Sequence, residues 1–181
     1  MELETTWLVT PSFQLRGSVG YLNAEYDEFE FEGTDLTSLD IPFAAEWQLG
    51  LEATYDQALG NGALVTYSVG VHYQSESETS PFDPNAATGL NPIGGAAPAG
   101  SATPFNIVAR HPTFTEMEER TLLNANITYT SPNEKWYATL WGKNLLNETY
   151  RVGANSVGAL WNFTVYGAPL QWGLELGINF E

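Results

Sequence analysis

Gln171-Trp172-Gly173-Leu174-Glu175-Leu176-Gly177-Ile178-Asn179-Phe180 alternates without a break. Trp172, Leu174, Leu176, Ile178 and Phe180 fall on one side; Gln171, Gly173, Glu175, Gly177 and Asn179 fall on the other. Side chains alternate across a strand with period two and recur on a helix with period 3.6, so this is an amphipathic strand. The pattern recurs upstream. Residues 46–55 set Trp47, Leu49, Leu51, Ala53 and Tyr55 against Glu46, Gln48, Gly50, Glu52 and Thr54. Residues 65–73 set Val65, Tyr67, Val69, Val71 and Tyr73 against Thr66, Ser68, Gly70 and His72. Residues 123–129 set Leu123, Ala125, Ile127 and Tyr129 against Asn124, Asn126 and Thr128. Residues 3–9, 15–25 and 136–145 alternate less cleanly. Seven strands are expected, near 2–9, 14–27, 45–56, 64–76, 120–130, 135–155 and 159–180, with essentially no helix outside the loops.

Alternation also suits a soluble sandwich, so the character of the two faces has to decide. The apolar faces begin or end on aromatics: Trp47 and Tyr55, Tyr67 and Tyr73, Tyr129, Trp172 and Phe180. The polar faces carry small or hydrogen-bonding side chains with several glycines. An outward apolar band with aromatic girdles over a polar lumen is the pattern of a transmembrane β-barrel. The segments are about ten residues long, as a tilted membrane strand requires, whereas strands of globular proteins centre on about five or six. Trp47, Leu49, Leu51, Val65, Val69, Val71, Leu174, Leu176 and Ile178 are therefore expected to face lipid.

The connections alternate short and long. Thr10-Pro11-Ser12-Phe13, residues 56–63 with Gly60-Asn61-Gly62, and Ser131-Pro132-Asn133-Glu134 have the Pro, Gly and Asn content of compact turns. Residues 27–44 hold Asp27, Glu28, Glu30, Glu32, Asp35 and Asp40, and residues 77–119 hold six of the ten prolines. So long a connection is anomalous inside a compact soluble domain. It has a natural place on the outer side of a bacterial barrel, opposite the short periplasmic turns. The last strand then ends at the short-turn side, so strands one, three, five and seven run inward.

Composition excludes several classes. The 181 residues carry 22 acidic and 6 basic side chains, a net charge of −16, which argues against a nucleic-acid partner. The absence of cysteine removes disulfides, thiolate metal sites and thiol catalysis. An apolar content of 43% is too high for a disordered acidic tail. No run of 18 apolar residues forms a transmembrane helix. Met1-Glu2-Leu3-Glu4-Thr5 lacks the basic start and apolar stretch of a signal peptide.

The segment Trp141-Gly142-Lys143-Asn144-Leu145-Leu146-Asn147-Glu148-Thr149-Tyr150 resembles the C-terminal signature of TonB-dependent outer-membrane receptors. In that signature a strand runs into Asn-Leu, then Asp or Asn, then Tyr, places filled here by Asn144, Leu145, Asn147 and Tyr150. Gly167, Ala168, Pro169, the final strand and Phe180 resemble the Gly-x-Pro element and closing amphipathic strand that follow. Residues 15–27 and 42–55 are similar in kind to strand-to-loop and loop-to-strand segments. Leu170 stands where the family usually has Arg, and Glu181 follows the aromatic that usually ends the chain.

The resemblance implies an all-β, antiparallel transmembrane β-barrel. It makes residues 1–181 about seven C-terminal strands of a 22-stranded barrel, an open arc as given, with the plug domain absent. It implies TonB-energised uptake of a scarce ligand such as a ferric siderophore, cobalamin or an oligosaccharide, by a fragment not competent alone. The implied partners are outer-membrane lipid, the missing N-terminal barrel strands and plug, TonB through that plug, and an extracellular small-molecule ligand. Two other readings stay open: a complete eight-strand pore or adhesin with 149–168 as extra strands, and a soluble carbohydrate-binding β-sandwich.

No catalytic, cofactor or metal site emerges. Glu46 and Glu52 share a face, but six residues of strand separate them by about 20 Å, more than the roughly 5–10 Å between a glycosidase's carboxyls. The acidic run 25–40 matches no calcium-loop spacing and reads as a solvated loop. His72 and His111 lack the clustered ligands a metal needs. The glycine-rich stretch 94–100 is flanked by no strand–helix pair. Candidate ligand contacts are Phe82, Phe105, Phe114, Trp161 and Tyr166, aromatics expected on the extracellular side.

Overall fold

Two-residue and five-residue turns set the register of everything that follows. The structure, a computed structural model, describes residues 1–31, 34–79, 90–91, 95–96, 116–157 and 161–180. In chain order the strands are β1 (Glu2–Thr10), β2 (Phe13–Tyr21), β3 (Glu30–Phe31), β4 (Thr34–Asp35), β5 (Trp47–Ala58), β6 (Leu64–Gln74) and β7 (Ser77–Glu78). There follow β8 (Leu90–Asn91), β9 (Gly95–Ala96), β10 (Glu116–Met117), β11 (Arg120–Thr130), β12 (Trp136–Lys143), β13 (Arg151–Val157), β14 (Trp161–Tyr166) and β15 (Gln171–Ile178). No helix occurs among the described residues.

One antiparallel sheet, ordered β1-β2-β5-β6-β11-β12-β15, dominates. The short turns are built by the residues that suit them. Gly62 takes φ 86° between β5 and β6, where Ala63 N donates to Asn61 Oδ1 at 3.1 Å. In the turn from β11 to β12, Trp136 N donates to Ser131 Oγ at 3.1 Å and Lys135 N to Asn133 Oδ1 at 3.2 Å. Asn and Gly tolerate these geometries, and Ser and Asn side chains cap the freed amides.

The register sorts the side chains completely. Leu174 stands opposite Leu140, Leu140 opposite Ile127, Ile127 opposite Tyr67, and Tyr67 opposite Tyr55. Leu51 stands between Gly17 and Val71, and Val71 opposite Leu123. Directly opposed residues share a face, so all nine residues expected to meet lipid lie on one side of the sheet. Among the described residues nothing covers that side. Leu51, Val69, Leu140, Trp172, Leu174, Leu176 and Ile178 are exposed, and among the described residues no large side chain is fully buried. Among the described residues the buried hydrophobics are Leu36, Leu39, Ala45, Ala63 and Met117. A sandwich buries such a face against a second sheet; among the described residues every other sheet is two-stranded. The soluble-sandwich alternative fails on this point.

The outer strands β1 and β15 lie at opposite ends of the strand order and do not pair with each other. The small closed barrel therefore does not form, and the sheet is an open antiparallel arc as expected.

Three expectations need correction. The strand expected over 14–27 ends at Tyr21. The long strands expected over 135–155 and 159–180 are each interrupted: β12 stops at Lys143, and β15 starts only at Gln171. Asn144 and Asn147 adopt left-handed φ values of 49° and 51°, which end the ladder. Pro169 has no N–H to donate to one. Between them β13 and β14 make a separate hairpin, Ala154 opposite Thr164. Within 149–168, residues 151–157 and 161–166 thus do fold as strands, but outside the main sheet.

The acidic connection 27–44 is also more ordered than a solvated loop. Leu36 and Leu39 are buried, Leu36 N donates to Phe29 O at 2.7 Å, and the Tyr26 and Phe29 rings lie 4.8 Å apart. Hydrogen bonds from the Thr37 hydroxyl and then its amide hold the Asp35 carboxyl below the usual carboxylate range.

Candidate functional site

The polar side of the sheet presents Glu4, Arg16, Ser18, Gln48, Glu52, Ser68, His72, Asn124, Asn126, Thr128, Trp141 and Glu175. Opposed pairs include Glu4 with Ser18, Arg16 with Glu52, and Thr128 with Thr139. His72 keeps its expected place here, with Nδ1 3.2 Å from Leu49 O. Among the described residues no three His, Asp or Glu side chains form a set that could hold a metal.

Aromatic rings lie flat on this side over glycines of the neighbouring strand. Gly173 stands opposite Trp141, and a Cβ added at Gly173 would sit 2.5 Å from Trp141 Cζ2. Gly177 stands opposite Tyr137, whose ring occupies the place of the missing Cβ, and Tyr137 Oη donates to Glu175 Oε1 at 2.8 Å. Gly177→Val is expected to displace the ring, break that bond and cost about 1–3 kcal/mol by overpacking. Thermal unfolding in detergent of Gly177→Val, Tyr137→Ala and the double variant measures it. Additive losses in the double variant would show that ring and glycine do not interact.

The signature residues form a knot at the end of the sheet where the long connections lie. Asn144 is 4% exposed. Its backbone N donates to Asn124 Oδ1 at 3.0 Å. Its Nδ2 donates to Glu148 O at 2.8 Å and Ala168 O at 3.1 Å, and its Oδ1 accepts from Glu148 N at 2.9 Å. Asn147 Oδ1 accepts from Leu170 N at 3.2 Å. One side chain thus ties the end of β12 to the chain entering β15, and a second repeats the tie. Leu145 packs on Gly142, where a Cβ would lie 2.6 Å from Leu145 Cδ2. The Tyr150 ring fills the space above Gly167, Gly167 N donates to Tyr150 O at 2.9 Å, and the Arg120 guanidinium sits 5.1 Å from the ring centroid.

Arg120 also donates to Gln74 Oε1 at 2.7 Å, and Arg151 pairs with Glu118 at 3.0 Å. Thr121 N donates to Glu148 Oε2 at 3.1 Å.

The structure therefore joins Asn144, Leu145, Asn147 and Tyr150 into one element, with the chain beside Pro169. Phe180 is separate and 91% exposed beyond β15. Tyr166 ends β14 with its ring 57% exposed, and Trp161 begins that strand. Phe82, Phe105, Phe114, His111 and almost all of 94–100 lie outside the described residues. Sequence reasoning missed Asn124, Glu148 and Arg120. Asn124 reads only as one polar residue among several on its face, and nothing local links it to Asn144.

The class defined by this geometry is the wall of an antiparallel β-barrel, with its apolar side outward and its long connections at one end. Comparison by sequence finds no matching family model and no matching curated protein. Comparison by structure finds receptors. The ferric yersiniabactin uptake receptor FyuA from Yersinia pestis matches 99% of this chain with 23% of its own, at 12% identity and TM-score 0.69. BauA, the ferric preacinetobactin receptor from Acinetobacter baumannii, matches 97% with 21% of its own, at 20% identity and TM-score 0.57. The ferric-catecholate import receptor Fiu from Escherichia coli K12 matches 97% with 20% of its own, at 20% identity and TM-score 0.58. The chain spans about a fifth of the length of these receptors. Its fold is the receptor-barrel fold that the signature implies.

Proposed function

We propose that the chain is the C-terminal part of the barrel of a TonB-dependent receptor in a bacterial outer membrane. The receptor takes up a ferric siderophore. The uncovered apolar face of a single-layer sheet is the observation that carries the reading, because only lipid satisfies such a face without a second layer. The similar structures, all named for ferric siderophores, favour that ligand class over cobalamin or an oligosaccharide. In this reading the chain performs no catalysis. It supplies barrel wall and a share of the outer ligand surface, while a plug and further strands supply the TonB contact and the rest of the barrel.

Deleting the gene in its host is expected to abolish growth on ferric siderophores under iron limitation. A plasmid copy restores growth, and removal of TonB abolishes that restoration. Unchanged growth of the deletion strain on a panel of ferric chelates, with the product absent from the outer-membrane fraction, would overturn the proposal.

A further inference from the structure

One level of the polar side is satisfied within the chain, and the level beside it is not. Across the strands Asp56, Thr66, Thr128, Thr139 and Glu175 stand opposite one another in turn. Their side chains are paired. The Thr66 hydroxyl donates to Asp56 Oδ1 at 2.6 Å, the Thr128 and Thr139 hydroxyls share a bond of 2.9 Å, and Glu175 accepts from Tyr137. Two residues along each strand, Thr54, Ser68, Asn126, Trp141 and Gly173 make the next row, and Glu52, Gly70 and Asn124 the row after it. Here the side chains of Glu52, Ser68, Asn126 and Lys143 make no hydrogen bond or ion pair with the described residues, and the Trp141 indole N–H has no acceptor. Arg16 stands opposite Glu52 without an ion pair.

These residues enclose a trough of about 310 Å³, walled by Glu52, Ser68, Asn124, Asn126, Trp141 and Lys143. Gly70 is its floor: a Cβ there would meet nothing nearer than Leu51 O at 3.9 Å, so the space above it is open. The Trp141 ring is held in place over Gly173, where an added Cβ would lie 2.5 Å from Cζ2. Lys143 Nζ lies 5.7 Å from the ring centroid. Asn124 spends its Oδ1 on Asn144 N, which leaves its Nδ2 donors for the trough.

The chemistry on offer is mixed. Glu52 only accepts; Lys143, Trp141 Nε1 and Asn124 Nδ2 only donate; Ser68 and Asn126 do both. Glu52 repels a simple anion and Lys143 a simple cation. A hydroxyl both donates and accepts, so a ring carrying several of them meets every one of these groups. Water would satisfy the polar groups too, but it has no use for a fixed indole on a polar wall. An indole offers an apolar face beside its polar N–H. A pyranose matches both features, with an apolar C–H face and a rim of hydroxyls. We propose that this trough is a sugar site, in which a pyranose ring stacks on Trp141 while its hydroxyls bond to Asn126, Ser68, Glu52 and Lys143. The inference goes beyond the siderophore reading and does not rest on it, since it needs only that solutes reach the polar side of the wall.

The test uses the gene product purified from outer membranes in detergent. Saturation-transfer NMR titrates methyl α-glucopyranoside, methyl β-galactopyranoside and methyl α-mannopyranoside, with tetrahydropyran as a ring that lacks hydroxyls. At least one pyranoside is expected to receive saturation, strongest at the C–H protons of one ring face, and tetrahydropyran none. Trp141→Ala and Asn126→Ala are each expected to weaken binding about tenfold. Trp141→Phe keeps a ring over Gly173 and keeps binding. Glu175→Gln, on the polar face but outside the trough, binds as wild type. Asn126→Ala breaks no bond within the described residues, so it reads the site even where Trp141→Ala does not fold. Absence of saturation in all three pyranosides with wild type overturns the site, as does equal affinity in wild type and Asn126→Ala. Growth of the deletion strain on ferric siderophores tests the receptor reading separately, so either can fail while the other stands.

Discussion

Leu176→Arg is expected to destabilise the protein in its membrane by about 2–4 kcal/mol, the cost of a cation near the bilayer midplane on a barrel's lipid face. The aromatics Trp172 on β15 and Phe180 just beyond it bracket the apolar row, and Leu176 is its midpoint. Its side chain is 71% exposed, opposite Ala138 of β12. On β5 the corresponding midpoint between Trp47 and Tyr55 is Leu51, opposite Gly17 and Val71, and Leu51→Arg is expected to cost as much. Glu175→Gln alters the polar side and keeps an acceptor for Tyr137 Oη, so its cost is well under 1 kcal/mol. Urea unfolding from lipid vesicles reads all three. Equal penalties at 175 and 176 would mean that the two faces meet the same solvent.

The second large effect is at Asn144. Asn144→Ala is expected to cost about 2–4 kcal/mol. It removes the partners of the Glu148 N–H and of the Glu148 and Ala168 carbonyls, and buried polar groups left unpaired cost about 1–3 kcal/mol each before water relieves them. It also places alanine at φ 49°, worth about another 1 kcal/mol of backbone strain. Asn144→Gly separates the contributions: it relieves the strain and still loses the bonds, so it falls between wild type and alanine. Heat-induced mobility shifts on gels, which follow unfolding of a detergent-solubilised barrel, rank the three. Asn144→Ala unfolding with wild type would show that the knot does not fasten β12 to β15.

The seven long strands were legible because a one-sided sheet writes its environment into every second residue. Where one side meets an apolar medium and the other a polar one, Trp47 to Tyr55 and Trp172 to Phe180 alternate without exception, and register follows from the face. The break at Asn144 was not legible. Lys143 keeps the rhythm, and the one polar residue after it does not by itself end a strand; what stops the strand is a left-handed backbone stabilised by Asn124, twenty residues away, and by Ala168, on the other side of a hairpin. Periodicity carries no information about such long-range bonds.

The same limit applies to the carboxylates at the long-connection end of the sheet. Glu46, Glu76 and Glu119 look like scattered surface charges until β5, β6 and β11 stand side by side and bring their ends together. Aromatic residues could be sorted by face within the regular strands, as Tyr55 and Tyr67 show. The ring of Tyr150 could not, because its place over Gly167 depends on the hairpin between them.

The most direct test of the account exploits the absence of cysteine in the chain. Single cysteines introduced at positions 171, 172, 174, 175, 176 and 178 and spin-labelled in outer-membrane vesicles report their surroundings through collision with oxygen, which concentrates in lipid, or with a water-soluble nickel chelate. The account predicts period two: labels at 172, 174, 176 and 178 collide with oxygen, and labels at 171 and 175 do not. Uniform access to the nickel chelate along the whole segment would contradict it.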